Sequence, residues 1–182
     1  MSVNDIVLHC APTLSGVKMG SLVTYRYDNE AELFDFVARQ DSTLSQKGVR
    51  VEIVRLRAKT AVLFVYRKKQ LAVSLSRPAV QEFLSEYGYS DFSAEGAIET
   101  LKLRLKMDSF PHEVGVFLGY PLSDIQAFID NKGANAPYVG FWKAYTNIDR
   151  AKRIFRVYKK CITESYKRYE NGTDILQLTV AG

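Results

Sequence analysis

The chain has few of the residues that build disulfide frameworks or metal sites. Its 182 residues include two cysteines, two histidines and one tryptophan. The two cysteines lie far apart, and no Cys-x-x-Cys or His-Glu-x-x-His spacing indicates a metal site, so we expect neither a disulfide framework nor a bound metal. No run of about 18 apolar residues predicts a transmembrane helix. The N-terminus lacks a signal-peptide pattern, so the expectation is a cytoplasmic protein with reduced thiols and no membrane partner.

Large charge imbalance and flexible linkers are also missing. The 25 Lys and Arg against 20 Asp and Glu give a formal net charge of +5, which is compatible with a phosphate or nucleic-acid partner without requiring one. The chain is 47% hydrophobic and 12% aromatic, which is typical of a folded protein and not of a disordered one. Because no Pro-, Gly- or Ser-rich linker divides it, we expect one globular domain over residues 1–182.

Four stretches have the patterns of strands. Residues 21–27 are rich in β-prone side chains, and residues 49–56 alternate between apolar and charged. The alternation slips at Val54, which predicts a β-bulge. Residues 61–66 are continuously apolar, as in a central strand covered on both faces, and residues 138–145 predict a further strand.

Candidate helix starts lie between and after these strands. They are Asn29, Ser76 before Pro78, Ser93, Pro121 and Asn147. The last of these begins a long amphipathic helix that ends near residue 171, and an apolar tail at residues 175–180 is expected to dock on the core. The sequence therefore predicts an α+β fold with a mixed or antiparallel sheet of about four strands, covered by helices, and a long C-terminal helix.

The densest chemistry lies in residues 110–121, which read Phe-Pro-His-Glu-Val-Gly-Val-Phe-Leu-Gly-Tyr-Pro. Its candidate site residues are His112, Glu113, Gly115, Gly119 and Tyr120. The first two can transfer protons, and the two glycines permit close approach of a flat ligand or of another backbone. Two interpretations stay open, namely a binding site and a buried structural turn.

His9 and Cys10 form a second candidate. A thiolate is a nucleophile only where nearby positive charge lowers its pKa, and sequence neighbours do not face one another, so a partner must come from elsewhere. One hypothesis is a Cys-dependent enzyme with Cys10 as nucleophile, His112 as base and Glu113 as the group that orients the base. The alternative is that Cys10 is a small buried apolar residue.

Two basic features complete the candidates. Lys18 and Ser21 lie in a glycine-containing stretch whose order departs from a P-loop, so we expect a turn into a strand with Lys18 facing a ligand anion. The helix over residues 147–171 is rich in Lys and Arg with interleaved tyrosines. It is read either as a nucleic-acid or protein-interaction surface or as the solvated face of an amphipathic helix.

Taken together, the motifs resemble an uncharacterised domain-of-unknown-function family of anaerobic bacteria. The resemblance rests on residues 9–14, 110–121, 131–133 and 142–145, in this order over nearly the whole chain. It implies no established activity, but it implies an association with iron and redox physiology. Relatives often carry additional cysteines near residues 138–142, and their absence here argues against a cysteine-rich metal site.

These observations favour a small-molecule or redox-cofactor binding protein. The pocket is expected where residues 9–21 meet residues 110–121, and its ligand is a metabolite, a haem-like compound or another redox cofactor. A redox partner protein is an alternative binding partner. The candidate cofactor-binding residues are His9, Lys18, Ser21, Gly115, Gly119, Tyr120, Lys132 and Trp142.

Overall fold

The computed structural model describes residues 3–107 and 109–182, and a three-stranded antiparallel sheet lies at its centre. The strands are β1 (Gly20–Arg26), β2 (Val49–Arg57) and β3 (Thr60–Arg67), in the order β1-β3-β2. The continuously apolar β3 is the middle strand, as the sequence predicts. The register between β2 and β3 shifts between Ile53 and Arg55, which confirms the bulge at Val54.

Nine helices and a small hairpin make up the rest of the described chain. The helices are α1 (Val3–Leu14), α2 (Glu30–Ser45), α3 (Lys68–Leu75), α4 (Pro78–Ser85), α5 (Ala94–Lys106), α6 (Val114–Phe117), α7 (Leu122–Asp130), α8 (Ile148–Glu170) and α9 (Ile175–Leu178). The hairpin consists of β4 (Tyr138–Val139) and β5 (Lys143–Ala144). The α+β class, the antiparallel sheet and the long C-terminal helix are thus confirmed.

Three of the expected helix caps are present and one is not. The side chains of Asn29, Ser93 and Asn147 accept hydrogen bonds from amides in the first turns of α2, α5 and α8. The expected cap at Ser76 is wrong, because this residue ends the unpredicted helix α3 and its hydroxyl donates back to Val73 O. Arg77 is the N-cap residue of α4 and makes no side-chain capping bond.

The expected strand over residues 138–145 is wrong as a continuous element. It is a hairpin of two short strands, and its turn includes Gly140, whose amide donates to Trp142 O at 3.1 Å. A Cβ on Gly140 would overlap the ring of Phe155 in α8. Close packing of the turn against α8 therefore replaces the longer strand.

The sheet separates two hydrophobic cores. Because side chains alternate along a strand, Leu63 and Val65 pack with α1, α2 and α9, whereas Phe64 and Tyr66 pack with α3–α7. A third cluster joins the β4–β5 hairpin to α8 around Trp142, and α8 in turn packs along α1. Consequently α1 lies on one side of the sheet and α6 with α7 on the other.

Arg67, at the end of β3, ties distant parts of the chain together. This buried guanidinium donates hydrogen bonds to the carbonyls of Thr13, Leu14 and Val180. Its hydrogen bonds therefore join the carbonyl groups at the end of α1 to the C-terminal tail. In the part of the chain that the structure describes, no helix has both the length and the apolar character that a membrane crossing requires.

Candidate functional site

An apolar pocket of about 260 Å³ opens beside residues 110–121, and we call it the aromatic pocket. Its lining is Phe110, His112, Val114, Gly115, Leu118, Tyr120, Asp124, Ile125, Phe128, Trp142 and Lys143. These residues come from the segment before α6, from α6 and the turn after it, from α7 and from the β4–β5 hairpin. Five of the side chains are rings, so the wall is suited to a flat apolar group.

Two glycines shape the pocket. A Cβ on Gly115 would lie 2.8 Å from Cγ1 of Ile125, so glycine lets α6 approach α7 closely. Gly119 has φ of +74°, a conformation that side-chain-bearing residues rarely adopt, and it turns the chain after α6. Tyr120 is thereby placed beside Trp142, with ring centroids 5.2 Å apart, and its hydroxyl donates to Phe141 O at 2.9 Å.

Asp124 fixes the wall of the pocket and was missed from the sequence. Its carboxylate accepts hydrogen bonds from Trp142 Nε1 at 2.8 Å, from the amides of Tyr145 and Thr146 at 2.9 Å each, and from the Thr146 hydroxyl at 2.8 Å. Burial would raise its pKa, but these hydrogen bonds outweigh burial and lower it. The sequence does show an acidic residue in the first turn of α7, but the residues that donate to it lie 18 to 22 positions away along the chain, so their contact could not be predicted.

His112 is the lining side chain left free for a ligand. Its ring packs edge-on against Phe128 with centroids 5.0 Å apart, and its nitrogens make no hydrogen bond with the described residues. The other polar groups are engaged, since Lys143 Nζ donates to Gly133 O at 2.6 Å and Asp124 is bonded to Trp142. The exposed imidazole of His112 therefore has both ring nitrogens available to a ligand at the edge of a mostly apolar pocket.

Glu113, the neighbour of His112, does not line the pocket. It is fully buried, and its Oε1 accepts a hydrogen bond from Arg104 Nε of α5 at 2.7 Å. The Tyr89 hydroxyl lies near the same carboxylate, and burial together with the Glu113 charge raises the pKa of Tyr89. Glu113 thus anchors the start of α6 to α5.

Cys10 lies on the other side of the sheet. It is fully buried on α1, and burial raises its pKa to about 12, a shift that Lys18 and Ser21 only partly offset. His112 stands with α6 and α7 on the opposite side of the sheet. The structure therefore does not bring Cys10 together with His112 or Glu113, and the nucleophile–base contact of a Cys-dependent enzyme is not made.

A second cavity, of about 450 Å³, lies where residues 16–21 meet residue 119, and we call it the basic cleft. Lys18, Lys69, Arg77 and Arg150 all line it, together with Gly119, Tyr120 and Tyr158. Lys18 Nζ lies 5.7 Å from the centroid of the Tyr120 ring and donates to Ser21 Oγ at 3.2 Å. The structure thus brings the two predicted segments together at Lys18 and Tyr120. Arg150 comes from the basic helix, and Lys69 and Arg77 were missed because no local motif marks them.

Of the remaining candidates, His9, Ser21 and Lys132 line neither cavity. His9 is exposed on α1, and Lys132 is exposed in the turn after α7 with φ of +49°. Ser21 is buried behind Lys18 and shares a hydrogen bond of 2.9 Å with the hydroxyl of Thr13. Trp142 lines the aromatic pocket. Within residues 3–107 and 109–182, no three His, Cys, Asp or Glu side chains are placed to hold a metal ion.

Comparison with known proteins gives a family and no function. No curated protein matches the chain, and no solved structure matches it. A family model described as protein of unknown function (DUF3793) matches residues 6–179, which include every residue of both cavities. Since this match covers nearly the whole chain, the chain belongs to the DUF3793 family of proteins of unknown function.

Proposed function

We propose that the chain is a small-molecule binding protein whose aromatic pocket receives the planar ring of its ligand. The volume limits the ring. An apolar cavity of about 150 Å³ holds one benzene, so about 260 Å³ accommodates one ring or two fused rings. A nicotinamide, a purine or a ring of similar size fits this volume, whereas a haem-like compound exceeds it and would have to extend out of the open side of the pocket. A redox cofactor with such a ring remains within the proposal.

The observation that supports this function most directly is the free imidazole of His112 in a mostly apolar, ring-lined pocket. Ligand sites commonly combine apolar walls with a few polar groups that fix orientation. Here the walls hold the faces and edges of the ring, while His112 bonds one of its ring nitrogens or substituents. Asp124 contributes indirectly, because it holds Trp142 in the wall.

Trp142 makes the proposal measurable without a label, because it is the single tryptophan of the chain and part of the pocket wall. Nicotinamide, adenine and indole are added separately to the purified protein, and emission is recorded at fixed pH. We expect a saturable change with at least one of them. No change with any of the three probes, together with no retained molecule in native mass spectrometry, would overturn the proposal.

Matched variants localise the binding. Phe110 is 54% exposed and lines the pocket, whereas Phe34 is 52% exposed on α2. Because an aromatic pair contributes about 0.5–1.5 kcal/mol, Phe110→Ala is expected to weaken ring binding about two- to tenfold, and Phe34→Ala to leave it unchanged. Likewise His112→Ala weakens binding and His9→Ala, at the other histidine, does not. Equal effects in either pair would place the ligand elsewhere.

The other hypotheses stay predictions with less support. The Cys-dependent enzyme lacks its nucleophile–base contact, as described above. The basic face of α8 remains a prediction of nucleic-acid or protein binding, and the link to iron and redox physiology rests on the resemblance.

A further inference from the structure

We propose that the basic cleft binds the phosphate group of a small-molecule phosphoester or inorganic phosphate. This inference is carried by a different cavity, which shares only Tyr120 with the lining of the aromatic pocket, and by the cations of that cavity, so it stands whether or not a ring binds in the pocket. The cleft is formed by the turn after α1, by α3, by Arg77 between α3 and α4, by the turn after α6, and by the first half of α8.

The first argument is charge. The lining includes two ammonium and two guanidinium groups and no carboxylate. Lys69 Nζ donates a hydrogen bond to Gly182 O at 3.3 Å, whereas Lys18, Arg77 and Arg150 form no ion pair with another described residue. An adjoining hollow shares Arg77 and Arg150 and again has no acid in its lining. Cations that line one cleft with no acid in its wall repel one another, and a concave wall concentrates their field on whatever anion enters.

The second argument is the burial of Lys18. This side chain is only 8% exposed, yet its ammonium has a hydroxyl and a ring face as its partners and no anion. Burying an ammonium without a counter-charge costs several kcal/mol, so burial lowers its pKa to about 8. The position is firmly held, because the amides of Val17 and Lys18 both donate to Pro12 O at 3.0 Å. An anion in the cleft supplies the missing charge.

The third argument is the supply of hydrogen-bond donors. The hydroxyls of Ser74 and Tyr158 line the cleft and make no hydrogen bond within the described part of the chain. Burial raises the pKa of Tyr158 to about 12, so its hydroxyl keeps its proton at neutral pH and can donate. Guanidinium forks, ammonium groups and hydroxyls together suit a phosphate, whose oxygens accept several charge-assisted bonds at once.

Lys18 gives the site a characteristic pH dependence. The groups that face it are the Cys10 thiol of α1, the Ser21 hydroxyl, the Tyr120 phenol, and, across the cleft, Lys69, Arg77, Arg150 and Tyr158. The thiol and both phenols stay neutral up to pH 9 because burial raises their pKa values to about 12. Loss of the Lys18 proton above a pH of about 8 therefore weakens anion binding by at most about tenfold per pH unit.

Calorimetric titration with inorganic phosphate and pyrophosphate tests the proposal, and sulfate, whose charge is constant, serves for the pH series. Arg150→Gln and Arg77→Gln are each expected to weaken binding about tenfold, because each removes one charge-assisted contact. Arg153→Gln is the matched control, since Arg153 lies on α8 outside the cleft lining. Lys18→Met is expected to weaken binding and to abolish the loss of affinity above pH 8.

Three outcomes would overturn the proposal. The first is no binding of phosphate, pyrophosphate or sulfate at millimolar concentration. The second is an Arg153→Gln variant that loses as much affinity as Arg150→Gln. The third is a single-stranded oligonucleotide that binds while the small anions do not, which would assign the basic residues to nucleic acid. None of the small anions contains a ring, so their failure to bind would count against the basic cleft and not against the aromatic pocket. Likewise, failure of the ring probes to bind would count against the aromatic pocket and not against the cleft.

Discussion

Replacing Asp124 by asparagine tests whether one carboxylate holds the β4–β5 hairpin on α7. Oδ1 accepts three hydrogen bonds from Tyr145 and Thr146, and an asparagine oxygen can keep them. The asparagine NH2 would then occupy the position of Oδ2, where Trp142 Nε1 now donates at 2.8 Å. Two N–H donors would face each other there, so this hydrogen bond would be lost. Losing one buried bond to a charged group costs about 1.5–3 kcal/mol, and three weakened bonds bring the expected loss to about 3–4 kcal/mol.

Urea unfolding followed by Trp142 fluorescence measures this loss, and Asp130→Asn, at the exposed end of the same helix, is the control. The pKa of Asp124 is lowered in the folded protein, so its contribution is present above the ordinary value of 3.8 and is lost as pH falls through the folded value. The difference in the free energy of unfolding between wild type and Asp124→Asn should therefore be full at pH 7 and shrink as the pH falls below 3.8. A gap below about 1 kcal/mol at pH 7, or one as large in acid as at neutrality, would refute the reasoning.

Two further perturbations test the placement of the other candidates. Glu113→Ala leaves Arg104 without its buried partner and should lower the free energy of unfolding by about 2–4 kcal/mol, whereas Glu99→Gln, in an exposed pair with Lys102, should change it by less than about 1 kcal/mol in urea titrations. Equal effects would contradict the anchoring role. With iodoacetamide at neutral pH, half-buried Cys161 should be alkylated in the native protein and Cys10 only after unfolding, as mapped by peptide mass spectrometry. Native labelling of Cys10 at the rate of Cys161 would contradict its burial and revive the enzyme hypothesis.

The main sheet could be predicted because strand patterns report directly which faces are covered. The apolar run of β3 marks a strand buried on both sides, and the slip at Val54 marks the bulge. Helix α1 was missed although Ile6, Cys10 and Leu14 follow at four-residue steps, because Pro12 and the short polar segments around it obscured the period. The strand expected over residues 138–145 failed for a tertiary reason, the packing of Gly140 under Phe155.

About half of the candidate site could be predicted. His112, Gly115 and Tyr120 were found because their local density is unusual, and all three line the aromatic pocket. Phe128 and Lys143 line the same space only because α7 and the hairpin pack there, and no local pattern encodes that packing. Glu113 shows the opposite difficulty, because it was a candidate but does not line the pocket. Being next to His112 in sequence does not determine which way a side chain faces at the start of a short helix.

The buried Arg67 has a consequence for how the protein is made. Its acceptor carbonyls lie 53, 54 and 113 residues away along the chain, the farthest of them at Val180. During synthesis the sheet and α1 are available early, but the guanidinium lacks one acceptor, and the core shared by α1 and α2 lacks the apolar side chains of α9, until residues 175–180 leave the ribosome. A nascent chain paused before that point exposes apolar side chains that α9 covers in the folded protein, and such exposed apolar surface is what chaperones shield.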